Sequence, residues 1–247
     1  MYTECSNSIV NFVIDQFEMF DHSQCQHLKS IVFESSQFWL QREKRIDFYT
    51  LGAAHYLDLE LHSSIDYYVD SARKWNPILW DCLEPFYKHL IDRLGQRFGC
   101  DFRFYPDVAL PGFHIFGPKP NQNSSLFNAF FFKSGGSIHR HPTPSRFAEI
   151  LGISRQCLPE NLYSHTIPIC LPCEGSGLNV WPDGMSSIDH PPTYVPYQKG
   201  MAYGFEGELV HQIPPHRAAS GSVAHNSHRI TLQCHDIDLG DYRVLFF

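Results

Sequence analysis

No run of apolar residues in this 247-residue chain reaches the roughly 18 that a membrane-crossing helix needs. Basic tracts are missing too, and 19 Lys and Arg against 26 Asp and Glu leave a net charge of −7. Such a chain offers no broad surface for tracking a phosphate backbone, which disfavours nucleic acid as a partner. The segment Met1–Glu18 lacks a basic stretch ahead of a greasy one. A secretory leader is therefore not expected, and a cytoplasmic location is. Gly and Pro, at 16 and 17, stay near average usage and exclude a collagen-like or low-complexity chain. No internal repeat is visible.

A disulfide framework is equally absent. The eight cysteines scatter from Cys5 to Cys234 in a chain too long for a small stapled domain, so they read as reduced thiols. Cys170 and Cys173 have Cys-x-x-Cys spacing, but they end the strand-like run His165–Leu171 instead of opening a helix. No second such pair completes a zinc site, and neither redox nor structural zinc chemistry is expected there.

What the chain does have is an aromatic-rich core. Apolar residues make up 43% and aromatics 15%, with 20 Phe and 12 Tyr, a composition that favours strands. Histidine occurs 15 times. Most of these read as surface or satisfied core residues, but imidazole is also the commonest side-chain metal ligand.

The texture changes near residue 100, dividing a helical region (1–99) from a β-rich one (100–247). Ile9, Val10, Phe12, Val13, Phe17 and Phe20 form a one-sided stripe that predicts a helix over Ser6–Phe20. Asp21 or Ser23 is placed to cap a second helix running to about Arg42. Asn76-Pro77 reads as an N-cap followed by a first-turn proline. Leu83, Phe86, Tyr87, Leu90, Ile91 and Leu94 continue that helix, with Pro85 expected to kink it or delay its start. Each helix has one apolar stripe to bury, so the helices are expected to pack on the β-structure. Beyond residue 100, short apolar runs separated by Gly, Pro and Asn predict strands near 101–105, 113–116, 126–132, 166–171, 178–181, 201–205, 208–213, 229–235 and 242–247. Many short strands at such spacing imply an antiparallel sandwich or barrel.

Three of these segments carry chemistry. In Gly135–His141, His139 and His141 are two apart and share one face of an extended strand. His211, in Gly207–Ile213, can add a third ring from across the barrel. Arg229 and Thr231 place a guanidinium and a hydroxyl on one strand face, suited to gripping a carboxylate. A salt bridge from Arg229 to Asp236, Asp238 or Glu208 is the plainer alternative.

The order His-x-His139-region, distant His211, then Arg229-x-Thr231 resembles the Fe(II)/2-oxoglutarate-dependent oxygenase superfamily. Leu110–Phe116, Gly175–Trp181, His211–Ile213 and Arg229–Gln233 are similar to an uncharacterised bacterial branch of it. The resemblance covers roughly 105–247. It implies a double-stranded β-helix, a jelly-roll or cupin-like core buttressed by the N-terminal helices. It implies an oxygenase using Fe(II), 2-oxoglutarate and O₂ on an amino-acid, peptide or small natural-product substrate. Hydroxylation is the default outcome, with His139 and His211 as iron ligands and Arg229 and Thr231 on the distal carboxylate of the cosubstrate. Asn128 is a further cosubstrate candidate, though an ordinary strand residue is its plainer role. His114, Asn179 and Trp181 are substrate candidates, with core packing the plainer role for Trp181.

The chain departs from the superfamily at one position. His141 stands where the family places Asp or Glu. Either His141 completes a three-histidine face or the metal is held by two histidines or absent. Imidazole suits iron, but exchanging a carboxylate for a neutral ring removes one negative charge from the site. Halogenating members carry Gly or Ala at this position to leave room for halide, and His141 fills that space. Three-histidine iron in cupin dioxygenases that use no 2-oxoglutarate is the alternative enzyme. Its usual Glu would follow closely on the second His, whereas Glu149 is further along. A metal-free β-barrel binding protein is the third reading.

Overall fold

A computed structural model describes residues 14–44, 46–59, 64–120, 136–160, 162–172, 176–214 and 228–247. The first strands are β1 (Asp15–Glu18), β2 (Leu40–Glu43) and β3 (Phe48–Leu51), followed by β4 (Asp101–Arg103), β5 (Gly112–Phe116) and β6 (Tyr163–Cys170). Then come β7 (Gly177–Trp181), β8 (Thr193–Pro196), β9 (Met201–Glu206), β10 (Val210–Gln212), β11 (Arg229–Asp238) and β12 (Tyr242–Phe246). The larger sheet has the order β1-β9-β6-β11-β5-β3-β2, with β12 on β11 and β4 on β12; β10-β7-β8 form a smaller one. Every pairing is antiparallel except β12 with β4. The antiparallel, mainly β architecture expected from the spacing is observed.

The central strand is β11. It pairs with β5 through Arg229–Gln233, with β12 through His235–Asp238, and with β6 along its other edge. Nine of its ten residues are buried, because both faces are covered. Ile230, Leu232 and Cys234 face a core shared with helices α1 (His22–Glu34) and α3 (Ile65–Phe98). The alternate residues Arg229, Thr231, Gln233 and His235 face the other way, between the sheets. Strands β1 and β2 lie at the sheet ends and alternate half-buried with exposed residues, as edges with one wet face do.

Several helical expectations are corrected. Residues 15–18, expected to end a helix, form β1, pairing with β9; residues 1–13 lie outside the described residues. The second helix is capped by Asp21, whose carboxylate accepts from Gln24 N–H at 2.7 Å while Gln24 Oε1 accepts from Asp21 N–H at 2.9 Å. It stops at Glu34, and 40–43 is strand instead of helix. Asn76 is not an N-cap. α3 runs unbroken through Pro77 and Pro85, and Asn76 instead ties Val108 O and Leu110 N–H to the helix at 2.9 Å each. A buried stripe from Tyr68 to Leu94 carries the helix past both prolines, packing overriding local propensity. The strands β1, β2, β3 and β8 were not anticipated. The expected strand at 126–132 lies outside the described residues, as does Cys173.

One short helix, α2 (His55–Asp58), positions side chains beside the inter-sheet space. Its anchor is a part-buried bidentate pair, Arg42 Nη1 and Nη2 donating to the two oxygens of Asp58 at 2.6 and 2.8 Å. Asp58 also accepts from Ala54 N–H at 2.7 Å, and Arg42 Nε donates to Thr50 Oγ1 at 2.7 Å, fixing α2 to β3. Asp58→Ala leaves a part-buried guanidinium and a buried amide without their acceptor, and we expect a loss of about 2 kcal/mol in urea-denaturation stability. A loss below about 1 kcal/mol would show that the pair does not hold α2.

Candidate metal and anion site

The extended segment 136–141 runs antiparallel to 207–213. Gly136 N–H donates to Ile213 O at 2.8 Å, His139 and His211 exchange backbone bonds of 3.0 and 2.9 Å, and His141 N–H donates to Gly207 O at 2.6 Å. This register sets His139 opposite His211, so their rings share a face with His141, two residues on. Ring centroids are separated by 4.3 Å (139–211), 4.8 Å (139–141) and 5.1 Å (141–211). One nitrogen from each ring lies within 4.8 Å of the others. Arg140, between the two histidines, points outward to an exposed ion pair with Glu208.

Two of the rings are oriented by the backbone. His139 Nδ1 lies 2.8 Å from Ser137 O, and His211 Nδ1 lies 2.8 Å from Leu209 O. A carbonyl only accepts, so both Nδ1 atoms carry the proton and both Nε2 lone pairs are left for another partner. His141 Nε2 is buried with no hydrogen-bond partner. Burial pushes all three rings below the ordinary 6.5, His211 to about 3, with the neighbouring rings adding repulsion at His141 and His211. Neutral imidazole is the ligating form.

These rings line a cavity of about 440 Å³ between the sheets. Arg229 lines it too, at 1% exposure. Its guanidinium lies 5.5 Å from the Phe116 ring and 5.7 Å from Tyr197, and its Nε and Nη1 have no hydrogen-bond partner. The alternative salt bridge is not made. Asp236 pairs with His165 and Arg243, Asp238 with Arg243, and Glu208 with Arg140. Burial lowers the Arg229 pKa from its ordinary 12.5, and Tyr197 and Tyr194 act against that shift. A buried unpaired guanidinium is costly, and an anion beside it would relieve that cost.

Thr231 lies on the same face of β11, its hydroxyl buried without a partner, though it does not line the cavity. His114 does line it, in contact with the Tyr56 hydroxyl through Nε2. Asn179 and Trp181 do not: Asn179 Nδ2 donates to Gln212 Oε1 at 3.2 Å and Trp181 Nε1 to His190 O at 2.9 Å. Strand alternation explains this, since Leu178 and Val180 are the β7 residues that face the inter-sheet core. Asn128 lies outside the described residues, as does nearly all of the loop 214–227. Glu149 is exposed on α4 (Phe147–Leu151), away from the three rings.

Residues not anticipated from sequence also belong here. Tyr56, Thr166, Tyr197 and Gln233 line the cavity, and His55 and His235 lie behind His141. The signal for Gln233 and His235 was available: polar residues recur every second position from Arg229 inside an otherwise apolar strand.

The arrangement offers metal-ligating nitrogens and a buried anion receptor in one apolar-walled space. The residues present therefore fit both a divalent transition metal and a carboxylate-bearing cosubstrate.

No protein-family model matches the chain, and no curated protein does. Solved structures do. A novel N-substituted L-amino acid dioxygenase from Burkholderia ambifaria AMMD superposes with TM-score 0.51 at 11% identity, covering 100% of this chain and 92% of that one. The same enzyme in complex with α-ketoglutarate gives TM-score 0.51 at 12% identity, covering 98% and 90%. A 2OG-Fe(II) oxygenase family oxidoreductase from Burkholderia pseudomallei gives 0.48 at 13%, covering 96% and 89%. The chain thus has the fold of the dioxygenase, as the resemblance in its sequence implied.

The buried rings make metal-free stability depend on pH. Their folded pKa values lie below the unfolded value near 6.5, so the unfolded state binds more protons. Stability is full above that value and falls as pH drops toward about 3, the folded value for His55 and His211. Urea denaturation in EDTA should lose up to about 1.4 kcal/mol per pH unit for each ring that must stay neutral. A flat profile between pH 7 and 5 would contradict the neutral, buried cluster.

Proposed function

We propose that the protein is a non-haem Fe(II)/2-oxoglutarate-dependent oxygenase with His139, His141 and His211 as its iron ligands. The observation that carries this reading is Arg229: a fully buried guanidinium with unpaired N–H groups in the same cavity as three metal-ready imidazoles. Such a cation calls for a buried anion, and a dicarboxylate that also reaches the metal answers both demands. The cupin alternative gives no role to that guanidinium, and its candidate Glu149 is exposed.

When bound, iron and 2-oxoglutarate would supply the oxidising chemistry, with O₂ consumed, succinate and CO₂ released and a substrate C–H bond hydroxylated. The chain's own residues hold and shield. Arg229 would grip the distal carboxylate through its free N–H groups, whereas Thr231, whose hydroxyl is unpaired but does not line the cavity, is given no contact with it. Phe116 and Tyr197 cover the guanidinium on its aromatic sides and exclude water, which strengthens the charge–charge contact. The carbonyls of Ser137 and Leu209 keep the Nε2 atoms of His139 and His211 free to ligate. Phe48, Leu57, Phe116 and Ile213 give the cavity an apolar wall suited to a small organic substrate. An amino-acid or related small substrate accords with the fold neighbour's action on N-substituted L-amino acids.

Anaerobic addition of Fe(II) and 2-oxoglutarate should produce a weak visible charge-transfer band in the wild-type protein. Arg229→Gln should weaken 2-oxoglutarate binding at least about 30-fold and suppress succinate release. His141→Ala should lower iron affinity while leaving the fold intact. Unchanged iron affinity would remove His141 from the ligand set. Unchanged cosubstrate affinity in Arg229→Gln would remove the oxygenase reading.

A further inference from the structure

Behind the cavity lies a second group of rings. His55 comes from α2, His141 from the segment paired with β10, and His235 from β11, at 1%, 6% and 0% exposure. One nitrogen from each lies within 4.8 Å of the others. His55 and His235 centroids are 4.7 Å apart, His141 and His235 5.0 Å, and His55 and His141 6.4 Å. Neither His55 nor His235 lines the cavity. Nε2 of His141, Nε2 of His235 and both ring nitrogens of His55 are buried without a hydrogen-bond partner. Native interiors rarely leave so many polar atoms unsatisfied in one place, and an ion is one of the standard resolutions.

We propose that His55, His141 and His235 form a second, fully buried transition-metal site, distinct from the group that faces the cavity. The wider shell supports it. Ser164 Oγ lies 2.9 Å from His235 Nδ1 and holds the ring in place; when the hydroxyl accepts from Nδ1–H, the Nε2 lone pair is the one left for an ion. α2, which carries His55, is tied down by the Arg42–Asp58 pair. Phe147 and Phe246 pack edge-on against His55, closing the site to water. Burial holds His55 down at about 3 and holds His141 and His235 well below their ordinary value, so all three rings are neutral.

The donor set selects the ion. Mg²⁺ and Ca²⁺ require oxygen ligands and are excluded. Three neutral imidazoles in a dry interior leave the ion's charge uncompensated, which favours metals that bind nitrogen most strongly, zinc and copper over iron. With Zn–N bonds of about 2.0–2.1 Å, donors on one tetrahedral ion sit about 3.3 Å apart, so rings whose nitrogens lie within 4.8 Å of one another close by up to about 1.5 Å on binding. His141 is common to both groups. A neutral His141 has a single lone pair, so the two groups compete for it, and an ion in one leaves the other with two histidines.

The test separates this site from the cavity-facing one. In a His139→Ala/His211→Ala protein only the second group remains complete. Titration with Co(II) should show one equivalent bound with tetrahedral-type visible absorption, and adding His235→Gln should weaken binding about 100-fold. No Co(II) binding in the double variant, or binding unaffected by His235→Gln, overturns the proposal. Zinc-edge anomalous diffraction of the wild-type protein keeps the test independent of variant folding. A peak enclosed by His55, His141 and His235 is expected. A zinc peak solely among His139, His141 and His211, or no peak at all, refutes the second site, whereas a peak at the second site alone speaks against the cavity-facing ligand set and leaves this proposal standing.

Discussion

The guanidinium of Arg229 is held charged in an interior that gives it two aromatic faces and, among the described residues, no ion pair. Arginine cannot discharge this cost by losing its proton, as a buried lysine can. The surrounding protein therefore has to tolerate an unpaired charge or be completed by an anion. The three carboxylates that sequence offered as its partners are committed elsewhere, Asp236 to His165 and Arg243 on the opposite face of β11, Asp238 to Arg243, and Glu208 to Arg140 at the surface. That segregation leaves one face of a central strand with an unpaired positive charge.

The same economy governs the imidazoles. His211, His139, His141, His235 and His55 follow one another at centroid distances of 4.3, 4.8, 5.0 and 4.7 Å, and neither group of three includes a carboxylate. Proteins that hold iron with a carboxylate fix charge at the metal; here burial, with repulsion between neighbouring rings, keeps the imidazoles neutral. The absence of an anionic ligand ties the site's competence to its dryness. Opening the interior to water would return the rings to their ordinary titration near 6.5, so that both groups would lose their donors together below that pH.

Packing places these rings as much as pairing does. α2 is only four residues long and would not persist alone. It is held by Arg42 and Asp58, so an ion pair at the β2 edge is coupled to the position of His55 at the centre. The long helix α3 shows the complementary case: two prolines within it are overridden by a continuous buried stripe.

Periodicity by itself determined a good deal. The alternation in Arg229–His235, the spacing of His139 and His141, and the short aromatic runs specified strands, their inward faces and the antiparallel class, because side-chain direction in a strand depends only on residue number. The capping box at Asp21 was legible for the same local reason. Tertiary structure decided the rest. Periodicity could not say that residues 15–18 would leave a helical stripe to pair with β9, since an edge partner outweighs propensity. Nor could it say that Asn179 and Trp181 would turn away from the cavity, or that Arg229 would be left without a carboxylate. Least of all could it bring His55 beside His235, 180 positions away in the chain. Convergence of remote residues is fixed by sheet order and by the docking of α2, and neither is encoded in any single stretch of sequence.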